Sequence, residues 1–219
     1  MTAPVGEGGG ADMAESGDPM PMFPLGSVLF PHAYLPLRIF EPRYRTMVDD
    51  LLAGSGEFGV VLIERGSEVG GGDVRHRVAT VARVIQAVPQ PDGGWLIGVV
   101  GVRRVRVEQW LPDLPYPRAI VTDWTDGPPA AAAEIDAVLS VLRRALAMRA
   151  ELDEPGAPAT VELEEAPDIR LWQMCAVAPV GPVDDLALLR SPTAVSRLDT
   201  LRELLDDEST VLAHRLSGG

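Results

Sequence analysis

Two periods of hydrophobic spacing divide this chain. Up to about residue 126, apolar side chains recur at every second position or in short unbroken runs. Beyond it they recur at every third or fourth. Residues 34–40 show the first rhythm: Leu35, Leu37 and Ile39 alternate with Tyr34, Pro36 and Arg38, as in a strand with one buried face. Two shorter apolar runs, 22–25 and 28–31, precede it. Proline cannot donate a ladder hydrogen bond, so Pro24, Pro31 and Pro36 belong at edges, bulges or strand ends. Glu41-Pro42 then opens a helix, because proline at the first helical position forgoes only an N–H that would be unpaired there. Tyr44, Met47, Val48 and Leu51 follow at helical spacing, and Gly54 ends the helix. Glu41 and Arg43 are expected to pin the strand-to-helix corner, with Glu41 favourably placed at the helix N-terminus.

The β rhythm resumes in residues 57–64, a continuous apolar run of strand length, and in 77–88, which alternates with β-branched residues throughout. Between them, 65–77 is polar and glycine-rich and reads as a hairpin tip. Residues 89–94 read as a hairpin turn. Residues 95–110 form a strand or bent strand pair, with Gly98 and Gly101 marking a bulge or bend. Val105 and Val107 share one face of it while Arg104 and Arg106 point to the other, which predicts a solvated arginine face beside Arg103. Residues 118–124 supply a last strand. Six or so strands with hairpin connections and one inserted helix predict a small closed or nearly closed barrel.

The second rhythm begins after Asp126-Gly127-Pro128-Pro129. Residues 130–152 carry Ile135, Val138, Leu139, Leu142 and Leu146 on one helical stripe. A loop and an acidic stretch lead to a helix over 169–178, and Pro182 opens another. Ser191-Pro192 is expected to stop that helix and to cap the next, in which Val195, Leu198, Leu201, Leu204 and Leu205 form an apolar face. The chain therefore divides into 21–126, a β-barrel, and 127–219, a helical bundle. Residues 1–20 carry no apolar period and are expected to be a disordered tail.

Charge and composition narrow the chemistry. The net charge of −13 is distributed as −4, −1 and −8 over 1–20, 21–126 and 127–219, which makes nucleic acid an unfavourable partner. No run of about 18 apolar residues exists to span a membrane, no secretory signal opens the chain, and the cytoplasm is the expected compartment. All 19 basic residues are arginine. Walker-type phosphate loops, Ser–Lys proteases and Schiff-base enzymes each need a lysine, so none is expected. His32, His76 and His214 stand in unlike contexts without metal-ligand spacing. Cys175 lies on an apolar helix face and reads as packing. The glycines at 70–72 lack the helix and lysine of a phosphate cradle. Glu162, Glu164, Glu165 and Asp168 read as a solvated helix approach rather than a calcium site. No catalytic residue, cofactor or metal is expected. What remains is a surface: Phe23, Phe30, Tyr34 and Phe40 crowd the opening stretch, and Trp95, Trp110 and Trp124 sit near strand ends. Two or three of these left exposed together would suit peptide binding.

The run 21–52, PMFPLGSVLFPHAYLPLRIFEPRYRTMVDDLL, resembles the start of the Lon protease N-terminal domain. FGVVL at 58–62, VATVARV at 78–84 and GVRRVRV at 101–107 are similar to later segments of that family, in the same order. The resemblance extends over roughly 20–210. It implies an α+β fold, a PUA-like β-barrel with an inserted helix followed by a C-terminal α-helical bundle. It also implies recognition of substrate polypeptides, as this domain does ahead of the ATPase and Ser–Lys protease modules of full-length Lon. The chain ends where those modules would begin, so the expectation is a stand-alone, non-enzymatic polypeptide-binding or adaptor protein. The Lon-type domain of cereblon likewise serves a non-protease adaptor. The expected partners are unfolded or tagged polypeptides, or a protease or chaperone. The expected contact residues are Phe40, Tyr44 and Trp110, in an apolar groove between barrel and bundle. Pro36, Glu41, Pro42 and Arg43 match the family motif and are read as structural. PUA-like folds elsewhere bind RNA, so a small-molecule- or RNA-binding barrel is the alternative. It would use Arg103, Arg104 and Arg106.

Overall fold

A computed structural model describes residues 18–66 and 74–218. Six strands lie in the first part of the chain: β1 (Met20–Leu25), β2 (Tyr34–Ile39), β3 (Glu57–Arg65), β4 (Val74–Pro89), β5 (Trp95–Leu111) and β6 (Arg118–Asp123). Helix α1 (Pro42–Ala53) is inserted between β2 and β3, and α2 (Ala132–Glu151), α3 (Pro167–Val177), α4 (Pro182–Arg190) and α5 (Ala194–Leu216) follow. Expectations for the tail over 1–17 and for the glycine-rich tip at 70–73 fall outside the described residues. Met20, assigned to that tail, instead belongs to β1 and stands opposite Ala119 of β6.

The strands form one mixed sheet in the order β2-β5-β4-β3-β1-β6, and β6 pairs additionally with β5. The expected barrel thus takes the form of a strongly curled sheet. The β1–β6 pairing holds through only Met20–Ala119 and Pro21–Arg118, and β2 lies outside the circuit, paired with β5. Inside the curl, Met22, Val61, Ala79, Val81, Val105, Val107 and Ala119 make one apolar cluster drawn from five strands. A second cluster, on the other side of β1 and β3, joins Phe23, Phe58 and Val60 to Tyr44, Met47, Val48 and Leu51 of α1. Strands buried on both faces have no polar alternation to display, which is why 58–63 is apolar throughout.

Of the three apolar runs at the start, the first and third are strands. The middle one is a loop whose Leu29 and Phe30 are buried. The loop is held to β5 by His32 N–H donating to the Gly101 carbonyl and Gly101 N–H donating to the Ala33 carbonyl, at 2.8 and 2.9 Å. A Cβ on Gly101 would lie 2.2 Å from the Phe30 carbonyl oxygen, so the approach demands glycine. Beside it β5 carries an extra residue, since Val81 faces Arg103 while Ala82 faces Gly101. The bulge expected from the glycines therefore sits at Val102.

Helices α2–α5 share a third cluster built on Ile135, Val138, Leu142, Leu171, Leu198 and Leu201. Phe30 and Val78 belong to it too, so the helices pack onto the sheet as well as onto one another. Ser191 ends α4 as its C-cap, as expected, but does not cap α5. Thr193 caps α5, its Oγ1 accepting from Ser196 N–H while Ser196 Oγ accepts from Thr193 N–H, a reciprocal capping box.

Candidate functional site

The three residues expected to contact polypeptide do not share one surface. Tyr44 is only 3 % exposed and packs its ring 4.6 Å from that of Phe23; a groove cannot present it. Trp110 is half-buried opposite Ala119 and lies under the guanidinium of Arg75, 5.0 Å from its ring centre. Arg75 is itself held bidentate by Asp113. Phe40, directly after β2, is 49 % exposed. At the neighbouring corner Arg43 Nε donates to Glu41 Oε2 at 3.1 Å, and Pro42 occupies the first turn of α1. Pro36 sits on β2 opposite Gly98.

An apolar surface does exist, on the outer face of β2, β5 and β4. Register places Pro36 opposite Gly98 and Arg38 opposite Leu96. On the far side of β5, Gln86 faces Gly98 and Val88 faces Leu96. Tyr34 reaches across Gly98, since a Cβ there would lie 2.8 Å from the Tyr34 hydroxyl. Tyr34, Pro36, Gln86, Val88 and Leu96 line a depression of about 80 Å³. Tyr34, Leu96 and Val88 are exposed, as is the neighbouring Ile85, left without a strand partner where β4 bulges. Four exposed apolar side chains on outward strand positions violate the apolar-in, polar-out rule. That violation was the available signal in the sequence. Beyond this face, β2 is an edge strand with a single neighbour, β5.

The second constellation lies where the sheet meets the helices. Arg104, expected on a solvated face, is 2 % exposed. Its Nη1 donates to the carbonyls of Leu189 (2.5 Å) and Ser191 (2.6 Å), and its Nη2 donates to Asp126. Arg197 of α5, 1 % exposed, donates to the same carboxylate at 2.9 and 2.7 Å. Aromatic rings separate the cations: Arg106 and Arg104 lie over Trp124 at 3.8 and 4.0 Å, and Arg197 lies over Trp172 at 3.3 Å. Burial first, and then the nearby Arg197 and Arg106, push Arg104 down to about 10 although Asp126 opposes them. Arg103, by contrast, points to Glu57 (2.8 Å) and Asp123 (3.0 Å). Of the basic groove that an RNA-binding surface would need, one member is therefore buried and another carries two carboxylate partners. A cavity of about 210 Å³ opens here, lined by His32, Arg104, Trp124, Thr125, Asp126 and Trp172 among others. His32 takes a left-handed φ of 63° in its turn. Asp126, Trp172 and Arg197 come together only through tertiary packing, so local sequence patterns could not associate them.

Cys175 is fully buried, and burial pushes its thiol up to about 12, outside nucleophilic range near neutral pH. Among the described residues, no cluster of three His, Cys, Asp or Glu side chains is placed to hold a metal ion, and no helix is long and apolar enough to cross a membrane.

The family described as the ATP-dependent protease La (LON) substrate-binding domain matches residues 19–207. Lon protease 1 of Herpetosiphon aurantiacus is 26 % identical over 199 residues, which is 86 % of this chain and 24 % of that protein. Lon protease of Cytophaga hutchinsonii is 26 % identical over 209 residues, 92 % of this chain and 26 % of that protein. The chain thus spans about a quarter of the length of these relatives. The crystal structure of a Lon N-terminal domain protein from Xanthomonas campestris superposes with a TM-score of 0.61 at 26 % identity, covering 84 % of this chain and 96 % of that one. The N-terminal domain of Mycobacterium avium complex Lon protease shares the fold, with a TM-score of 0.60 at 15 % identity, over 88 % and 98 % of the two chains. A family match from residue 19 to residue 207, on a curled mixed sheet followed by packed helices, means that the chain belongs to the LON substrate-binding domain family.

Proposed function

We propose that this chain is a non-catalytic polypeptide-binding module of the cytoplasm. It captures apolar segments of unfolded or tagged polypeptides and hands them to a separate protease or chaperone. The observation that carries this reading is the exposed row Tyr34, Leu96, Val88 and Ile85 on the outer face of β2, β5 and β4. Exposed apolar side chains grouped on one face mark interaction surfaces. An extended segment can lie along that face, or extend the sheet by pairing with the open edge of β2. Pro36 lacks an N–H, so pairing along β2 would be interrupted there and side-chain contacts would contribute most of the affinity. Phe40, just beyond β2, extends the same capture surface and Pro36 lines its depression, whereas Glu41, Pro42 and Arg43 serve to shape the corner. Family membership supports the polypeptide as ligand, and the absence of lysine supports a role without ATPase or Ser–Lys chemistry. We assign the curled sheet to the PUA-like class, and treat 20–126 and 127–219 as the two lobes of the chain.

The test is fluorescence anisotropy of a labelled, permanently unfolded protein titrated with this chain at low and high salt. Saturable binding that survives high salt and falls at least tenfold in Leu96→Asp and Tyr34→Ser is the expected result. Binding that disappears with salt, or that is indifferent to both substitutions, would refute the assignment of this face.

A further inference from the structure

We propose that the cavity between sheet and helices binds a carboxylate carried on an apolar group, the chemistry shared by a polypeptide C-terminus and a free small carboxylic acid. Charge accounting motivates it. Arg104 and Arg197 are both buried, and among the described residues they hold between them one carboxylate, that of Asp126. Arg106 adds a third guanidinium, 3.8 Å from the centre of the Trp124 ring. Backbone carbonyls of Leu188, Leu189 and Ser191 take up some of the N–H groups, but carbonyls carry no net charge. A buried cation without a full counter-charge is a costly arrangement, and an incoming anion relieves it.

Hydrogen bonding agrees with the charge. The Nε of Arg104 is buried and has no partner among the described residues, although a buried donor is nearly always satisfied. Arg104 lines the cavity. The rest of the lining sets the class of ligand. Pro31, Val102 and the rings of Trp124 and Trp172 form apolar walls, suited to the side chain that carries the anion. Asp126 and the ion pair of Asp123 with Arg103 also line the cavity, so a doubly charged phosphate finds less unbalanced positive charge than it needs, whereas a singly charged carboxylate is matched. The volume of about 210 Å³ admits one amino-acid-sized group. This site is separate from the outer face of β2, β5 and β4, and neither reading depends on the other.

The test is calorimetric titration of the intact chain with N-acetyl-leucine and with N-acetyl-leucinamide, which differ in the negative charge. Saturable binding of the acid at least tenfold tighter than the amide is expected. Thr125 is exposed at the cavity mouth, so Thr125→Trp fills the opening without touching the guanidinium stack. It should abolish binding of the acid while leaving the thermal melt unchanged. Arg104→Met should also abolish binding of the acid where it folds, though with a lowered melt, and where it does not fold, the acid–amide pair and Thr125→Trp carry the test. An acetylated pentapeptide ending in leucine distinguishes the sources. Tighter binding than N-acetyl-leucine identifies a polypeptide C-terminus, and equal binding identifies a free acid. Acid and amide binding within twofold of each other, acid binding that persists in Thr125→Trp, or tighter binding of phenyl phosphate would each overturn the proposal. Leu96→Asp should leave the acid titration unchanged, which keeps the outcome independent of the polypeptide-capture face.

Discussion

Replacing Asp126 by asparagine keeps the shape of the junction and removes its one shared negative charge. In the native chain Asp126 accepts two hydrogen bonds from Arg197 and one from Arg104, and both guanidinium groups are almost wholly out of solvent. Asparagine can accept at one atom only and turns an N–H₂ toward one of the cations. Removing one partner of a buried ion pair costs about 3–5 kcal/mol. Asp126 keeps 22 % of its side chain exposed, so water reaches part of the gap and the lower end, about 3 kcal/mol, applies. For a chain of this size each kcal/mol lowers the melting temperature by about 2–4 °C, giving a drop of about 6–12 °C. Urea and thermal unfolding followed by circular dichroism measure it, and Trp124 and Trp172, stacked on the same cations, report it locally by fluorescence. High salt should change the difference little, because the pair lies largely beyond screening. Arg197→Met placed on top of Asp126→Asn should recover stability rather than lose more, since it removes an unpaired charge. A loss below about 1 kcal/mol, or a double substitution worse than the single one, would refute this account of the junction.

Three further outcomes are expected. Gly101→Ala should cost about 3 kcal/mol, the upper end for overpacking, because its Cβ meets the Phe30 carbonyl. Gly98→Ala should cost less, because it meets an exposed tyrosine side chain that can swing away; denaturant melts compare the two. Asp185 is held up at about 7, from an ordinary 3.8, first by burial and then by Asp184. Its protonated form therefore favours the fold, and stability should fall as pH rises from about 4 through 7. Asp185→Asn should flatten that slope in melts recorded between pH 5 and 8, and an unchanged slope would exclude Asp185 as its origin. Cys175 should resist Ellman's reagent at pH 8 and react only at the rate at which the chain opens, accelerating in urea.

What was legible in the sequence was whatever local spacing encodes. The period-two stretches, the corner at Glu41-Pro42 and the helical stripe through Ile135, Val138 and Leu142 all became elements close to their expected limits. Misreadings arose where tertiary packing overrode local pattern. Arg104 alternates with Val105 as a solvated residue would, yet the helices fold onto its face and enclose it. Tyr44 has an amphipathic side chain, but its position on the α1 stripe, beside Met47 and Val48, commits it to the core. Ser191 and Thr193 are both competent caps, and only the path of the chain decides that Thr193 faces the first turn of α5. The outer face of β2, β5 and β4 is not encoded by local spacing, because β2 and β4 are brought together only by β5.

The pairing of Met20 with Ala119 has a consequence for the order in which the chain can fold during synthesis. The strand that begins the sheet emerges first, and its β6 neighbour follows roughly a hundred residues later, about 5–20 s at ordinary translation rates. Until then the β6 side of β1 stays open. Met22 turns its N–H to that side, donating to the Pro117 carbonyl in the finished fold, and alternation along the strand puts the position of Pro24 on the same side. Pro24 has no N–H to offer there, so the waiting edge is a poorer template for a neighbouring nascent chain. A residue that adds nothing to the finished pairing thus protects the unfinished one.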